Sequence, residues 1–275
     1  VLIAGGWDGK KLAYLTAEIY NPSNGQFTPT LGPVTATSEP NMLATRWKHT
    51  ATLLPDGKVL IAGGIVGLGN SELQETTELY NPATDSFSHH SLTTDLASAG
   101  TGLALREARI GHTATLLLDN KILFLGNDGV NTGVAKILTY NSVAPDNSTW
   151  ETIAAPTLYT QYNRAYHTAT LVKDPSAITG GFPTGNAVID AAPPAHTTIT
   201  DITSEILIVG GSTAFDKSKI TERLTIKKTI TVDSSTPSSP ITTTSTTFVW
   251  DKVNPLQVNR SNHSAQLLAR SEERR

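Results

Sequence analysis

The sequence of 275 residues predicts an all-β fold, a β-propeller built from four-stranded antiparallel blades. Three observations carry that expectation. The first is a phrase: His-Thr-Ala-Thr-Leu-Leu, a tight turn, then Val-Leu-Ile-Ala-Gly-Gly. It stands whole at His49–Gly64 and returns as His112–Gly126 and, around a long insertion, as His167–Gly211. It is also divided between Val1–Gly6 at one end and His263–Leu268 at the other. The second is a period: Tyr20, Tyr80 and Tyr140 stand 60 residues apart. The third is that each repeat reads as four short strands, and a repeated four-strand unit of this size is one propeller blade.

The elements follow in order. In the best-formed repeat, strand a is Arg46–Leu54 and ends at Pro55-Asp56-Gly57-Lys58. Asp-Gly between apolar runs signals a hairpin in which both turn residues take φ > 0. Strand b, Val59–Ala62, is apolar and β-branched, as expected of a strand buried on both faces, and Gly63-Gly64 ends it. Strand c is Thr76–Tyr80, stopped by Asn81-Pro82, and strand d is a short aromatic run around Phe87. The first repeat has b at Val1–Ala4, c at Ala17–Tyr20 and d around Phe27. The third has a at Arg109–Leu118, b at Ile122–Leu125, c at Ala135–Tyr140 and d at Thr149–Ile153. The fourth has a at Arg164–Val172, b at Glu205–Val209, c at Arg223–Val232 and d at Thr246–Val253.

A last strand a, Arg260–Leu268, would pair with the first strand b and close a ring of four, removing its open edges. The alternative is an arc of a larger ring. The chain is then one domain, 1–275, with blades at 1–30 plus 260–269, 46–90, 109–153 and 164–253. A blade alone cannot fold. Ordering its residues costs ~1–2 kcal/mol each, and its dozen or so apolar side chains return only ~1.5–3 kcal/mol each. Neighbours must cover both of its faces.

Composition narrows the function. Charged residues are 16% of the chain and the net charge is −3, which argues against nucleic acid or an anionic membrane as the partner. No apolar run reaches the roughly 18–20 residues that cross a bilayer. There is no cysteine, so disulfides, thiolate metal sites and cysteine nucleophiles are excluded. Abundant Thr and Ser, with a tract at Ser234–Thr247, point to an extracellular or cell-surface protein. The chain starts at Val1, inside a repeat and without Met, as a chain that is processed, trimmed or only the ordered part of something longer would. Two insertions, 173–204 between strands a and b and 233–245 between c and d, crown one face of the fourth blade. Loops of that length in a compact domain are usually functional or mobile.

The glycine doublets Gly5-Gly6, Gly63-Gly64 and Gly210-Gly211, the tyrosines Tyr20, Tyr80 and Tyr140, and the strand-d aromatics Phe27, Phe87, Trp150 and Trp250 resemble Kelch repeats. The leading Arg and His with Asp-Gly-Lys-Val-Leu-Ile look like the bacterial variety and like the propeller of galactose-oxidase-type enzymes. The third repeat departs with Gly126-Asn127, and the fourth lacks the Tyr-Asn corner. The resemblance implies a fold that hosts many roles. It would also suggest copper radical chemistry, but that family's radical cofactor joins a tyrosine to a cysteine. It cannot form in a chain without cysteine.

Candidate sites are weighed against plainer roles. His49, His112, His167 and His263 share one register of strand a, preceded by Arg46, Arg109, Arg164 and Arg260. Four imidazoles near an axis could hold a metal. Repetition in every blade favours a structural hydrogen bond instead, with each Arg bracing the adjacent blade. Asp8 and Asp128, in Gly-Trp-Asp-Gly and Gly-Asn-Asp-Gly, would face each other in a ring of four and could hold Ca2+ at the channel mouth. The same dipeptide is also ordinary turn chemistry. Trp7, Tyr159, Tyr162, Phe182 and Phe215 are candidate contacts, since aromatics carry much binding energy. Asn147, Asn259 and Asn262 match the glycosylation pattern, and only Asn147 sits in a loop. His89-His90 and His196 read as solvated loop residues.

The reading is a non-catalytic extracellular or surface module that binds protein or glycan or assembles with itself. The alternative is a carbohydrate-active or metal-dependent enzyme with a loop-built pocket.

Overall fold

Short β-branched runs punctuated by Gly-Gly, Asn-Pro and Asp-Gly have one simple solution, the antiparallel meander, and the chain takes it four times over. The computed structural model describes residues 1–10, 13–30, 42–66, 72–90, 102–105, 107–117, 120–126, 135–153, 164–173, 197–211, 220–233, 241–259, 261–262 and 264–265. Blade 1 holds β1 (Leu2–Ala4), β2 (Ala17–Asn21) and β3 (Gln26–Pro29). Blade 2 runs through β4 (Thr50–Leu53), β5 (Val59–Ala62), a two-strand ribbon of β6 (Ile65–Val66) and β7 (Glu72–Leu73), then β8 (Thr77–Asn81) and β9 (Ser86–His90). Blade 3 is β10 (Thr113–Leu116), β11 (Lys121–Leu125), β12 (Ala135–Thr139) and β13 (Thr149–Ile153). Blade 4 is β14 (Thr168–Lys173), β15 (Thr197–Val209), β16 (Thr221–Asp233) and β17 (Ile241–Lys252). Within each blade sequence neighbours pair antiparallel, and no α-helix occurs among the described residues. The architecture is the all-β propeller that the period predicts.

Three apolar clusters glue successive blades. Leu2, Ala4, Ala17 and Ile19 of blade 1 meet Ile61, Tyr80 and Phe87 of blade 2. Leu54, Leu60 and Leu79 meet Ile122, Phe124 and Leu138 of blade 3. Leu123, Leu125 and Ile137 meet Ile206, Ile208 and Leu224 of blade 4. Strand b thus buries both faces because it lies between two neighbours, and each fully buried aliphatic contributes ~1.5–3 kcal/mol. The recurring tyrosines also tie corners: Tyr80 donates to Asp85 at 2.6 Å, and Tyr140 reaches back to Asp56 in the blade 2 hairpin at 2.9 Å.

Three expectations are corrected. The Asp56-Gly57 hairpin is not a two-residue turn with both φ values positive. Leu54 and Lys58 are bonded across Pro55-Asp56-Gly57, only Gly57 is left-handed (φ 84°), and Asp56 accepts the Lys58 N–H at 3.2 Å. A three-residue loop of this kind needs one left-handed residue, at its end. In blade 4, residues 197–204 of the expected insertion 173–204 belong to β15, and residues 241–245 of the expected loop 233–245 belong to β17. Thr and Ile are β-branched and favour the pleated sheet over the coil that a low-complexity tract suggests. Lastly, His90 is a buried residue of β9 rather than a solvated loop residue.

The expected pairing of Arg260–Leu268 with β1 lies outside the described residues. Those described nearby follow the repeat. Asn262 is left-handed at φ 53°, as Lys48, Gly111 and Tyr166 are at the matching positions of blades 2 to 4 (56°, 56° and 58°). Its N–H donates to the Tyr166 carbonyl at 3.0 Å, as that of Tyr166 does to Gly111 at 2.7 Å.

Candidate functional site

The repeated Arg-x-x-His sits at the joints between blades. Arg46 is fully buried and donates to the Gly63 carbonyl (3.0 Å), to Thr76, and to Glu78 (2.8 Å), all in its own blade. Arg164 does the same with Gly210, Ile220 and Glu222. In blade 3 the carboxylate has moved. Lys136 stands where Glu78 and Glu222 stand, and Glu107 bridges Arg109 (3.2 Å) and Lys136 (2.5 Å). The guanidinium therefore braces its own blade, not the adjacent one as expected. Its backbone carbonyl crosses the joint instead, accepting the Gly6 N–H from blade 1 at Arg46 (2.9 Å) and the Gly64 N–H from blade 2 at Arg109 (2.8 Å). The doublets must be glycine there. A Cβ at Gly63 would stand 2.7 Å from the Arg109 carbonyl and 2.9 Å from His112 Cε1, and Gly5 and Gly126 meet Arg46 and Arg164 even more closely.

The histidines fill the same joints. His112 Nε2 lies 3.1 Å from Thr50 Oγ1 of blade 2, and His167 Nε2 lies 3.1 Å from Thr113 Oγ1 of blade 3. Burial, and then the Arg46 guanidinium, hold His49 down at about 4. Burial, Arg109 and the neighbouring histidines push His112 down to about 3. Both rings are neutral in water near pH 7. His112 and His167 also border an open cavity of about 340 Å³ together with Thr50, Thr113, Thr115, Thr168 and Ser264, so inner segments of successive blades meet there. Among the described residues no group of three or more His, Cys, Asp or Glu could hold a metal. Arg260 and His263 lie outside the described residues.

The candidates for binding are scattered differently. Tyr159, Tyr162, Phe182, Phe215 and Asp128 lie outside the described residues. Asp8 accepts the Lys10 N–H at 2.8 Å, an Asx turn that shapes the loop. Trp7 bridges to Ala13 and stacks on Trp47 with centroids 4.9 Å apart and planes at 26°, yet keeps 44% of its surface exposed. Lys48 Nζ stands 4.3 Å from the Trp47 ring centre and 5.1 Å from that of Tyr166. Backbone bonds hold this cluster in place. Gly6 and Tyr14 bond to Arg46 on either side of Trp7, and Trp47 exchanges two hydrogen bonds with Ile65. An exposed indole is thus fixed by the same joint that binds the blades. Trp47, Lys48 and Tyr166 were not singled out from the sequence. The signal available was their position, between the repeated Arg and His.

A further constellation forms on the rim of blade 2. Ser88 Oγ is 3.2 Å from His90 Nε2, and His90 Nδ1 is 3.4 Å from Asp146 Oδ1. The order of atoms is that of a hydrolase triad. However, Asp146 is 79% exposed, where water screens its charge, and neither described cavity borders Ser88.

No family model matches the chain, and no curated protein matches it. Among solved structures, a fungal alcohol oxidase of the AA5 family, in complex with copper, is similar at TM-score 0.52 and 13% identity. The match covers 90% of this chain and 39% of that one, so the chain spans well under half of its length. At this identity the likeness shows the fold alone. The residues described here do not fit a copper centre: His112 and His167 are engaged with threonines of the neighbouring blade, and no three ligands gather.

Proposed function

We propose that this chain is a non-catalytic, Kelch-type interaction module of the cell exterior that binds a glycan through the face carrying Trp7. One observation carries the reading: Trp7 is stacked, anchored and still half-exposed. A sugar ring presents a row of polarised C–H bonds that suits the electron-rich face of an indole. The partner face of Trp7 is already taken by Trp47, and the Lys48 ammonium over Trp47 fixes that ring in turn. The site is preorganised, so binding need not order it first. A glycan array followed by titration of the best hit tests this. Trp7→Ala weakens binding at least tenfold. No hit on the array, or unchanged affinity in Trp7→Ala, overturns it.

A second reading, hydrolysis, is favoured only by Ser88, His90 and Asp146. A fluorophosphonate probe decides it: labelling that disappears in Ser88→Ala would establish a nucleophile, and none is expected.

A further inference from the structure

We propose that a second copy of this chain pairs with the outer edge of β17, giving a two-fold dimer centred on Ser245. The inference does not rest on the glycan reading. β17 is the last strand of its sheet, and no strand pairs with its outer side among the described residues. Exposed edges invite pairing unless they are blunted, and the other outer strands are blunted. β3 ends in Pro29, β9 is only five residues long, and β13 carries Glu151 and is also only five residues long. β17 is twelve residues long, and from Ile241 to Val249 it contains no charge, no proline and no glycine. Five of those nine are threonine, a residue that favours the sheet.

Why a copy of itself? Antiparallel pairing of a strand with its own copy is isologous, so every contact occurs twice. Odd and even residues of β17 face opposite ways. The even face carries Phe248 and Trp250 into the core shared with blade 3. The odd residues Ile241, Thr243, Ser245, Thr247 and Val249 are all exposed. Ile241 is 61% exposed and Val249 is 49% exposed, costly places for aliphatic side chains. They stand equally far from Ser245. Pairing centred there sets Ile241 of one copy opposite Val249 of the other, and Thr243 opposite Thr247, each twice. Both are favourable cross-strand pairs, and no like charges oppose. Nine paired residues give a seam of roughly 30 Å.

The test is sedimentation or light scattering on the whole chain at high micromolar concentration. The wild type is expected at twice its 29.2 kDa chain mass. Thr243→Glu with Thr247→Glu puts like charges opposite each other twice and is expected to be monomeric. Thr243→Lys with Thr247→Glu places opposite charges there and is expected to restore the dimer, at least tenfold tighter than the double-Glu chain. Melting curves confirm that both variants fold. A monomeric wild type overturns the proposal, as do two variants with the same mass.

Discussion

Gly63→Ala tests the joint between blades 2 and 3 against a built-in control. Gly63 has φ +67°, so any L-residue there pays a left-handed penalty of ~1–2 kcal/mol. The added Cβ would stand 2.7 Å from the Arg109 carbonyl, 2.9 Å from His112 Cε1 and 3.3 Å from Leu105. Two of those neighbours are a backbone atom and a ring at 5% exposure, and neither can move without disturbing blade 3. Overpacking of this kind costs ~1–3 kcal/mol. Pushing the carbonyl away also strains the Gly64 N–H bond to it, worth ~1 kcal/mol. The expected total is about 3–6 kcal/mol. Gly57 has φ +84° and nothing within 4 Å of its Cβ position, so Gly57→Ala pays only the backbone term, ~1–2 kcal/mol. Urea unfolding followed by tryptophan fluorescence gives both numbers. Equal losses in the two variants would show that the doublet is merely a turn and that the joint is wrongly assigned.

Other outcomes follow from the same geometry. His49 and His112 are held at about 4 and about 3, below the 6.5 of a free imidazole. The unfolded chain therefore binds their protons first: stability is full above pH 6.5 and falls as pH drops towards 3, by on the order of 8 kcal/mol in all. Burial raises Glu222 to about 7, so its contribution has the opposite sign, present below pH 4.5 and lost as pH rises through 7. Urea midpoints at pH 7 and pH 4.5 read the balance, and His112→Gln should flatten the acid limb; an unchanged limb would argue against buried neutral imidazoles. Arg46→Met strands the buried Glu78 carboxylate with only the Leu43 and Ala44 N–H groups and should cost ~3–5 kcal/mol in the same assay. The exposed pair Arg223–Asp251 serves as its control, with at most ~1 kcal/mol at stake.

What the sequence made legible is what repeats. The four meanders, the blade bounds near Val59–Ala62 and Ile122–Leu125, and the propeller class all follow from hydrophobic period and glycine punctuation. What departs from the repeat was harder to read. The Thr-rich stretches at 197–204 and 241–245 look like loop by composition, but in-register partners on β16 make them strand. The direction of the Arg side chain is a tertiary fact: Glu78 and Glu222 recur at the second residue of β8 and β16, but Lys136 and Glu107 disguise the pattern in blade 3. Trp47 and Lys48 stand between the repeated Arg and His, where structural residues mask a cluster assembled across three blades.

The central claim is that the repeated phrase builds the joints between blades while the proposed glycan site lies on the Trp7 face. Melting temperature and glycan affinity measured on Trp7→Ala and His112→Ala test it most directly. Trp7→Ala should melt like the wild type and lose at least tenfold in affinity, and His112→Ala should melt lower and bind as before. A Trp7→Ala chain that binds normally, or a His112→Ala chain that melts normally and fails to bind, would contradict it.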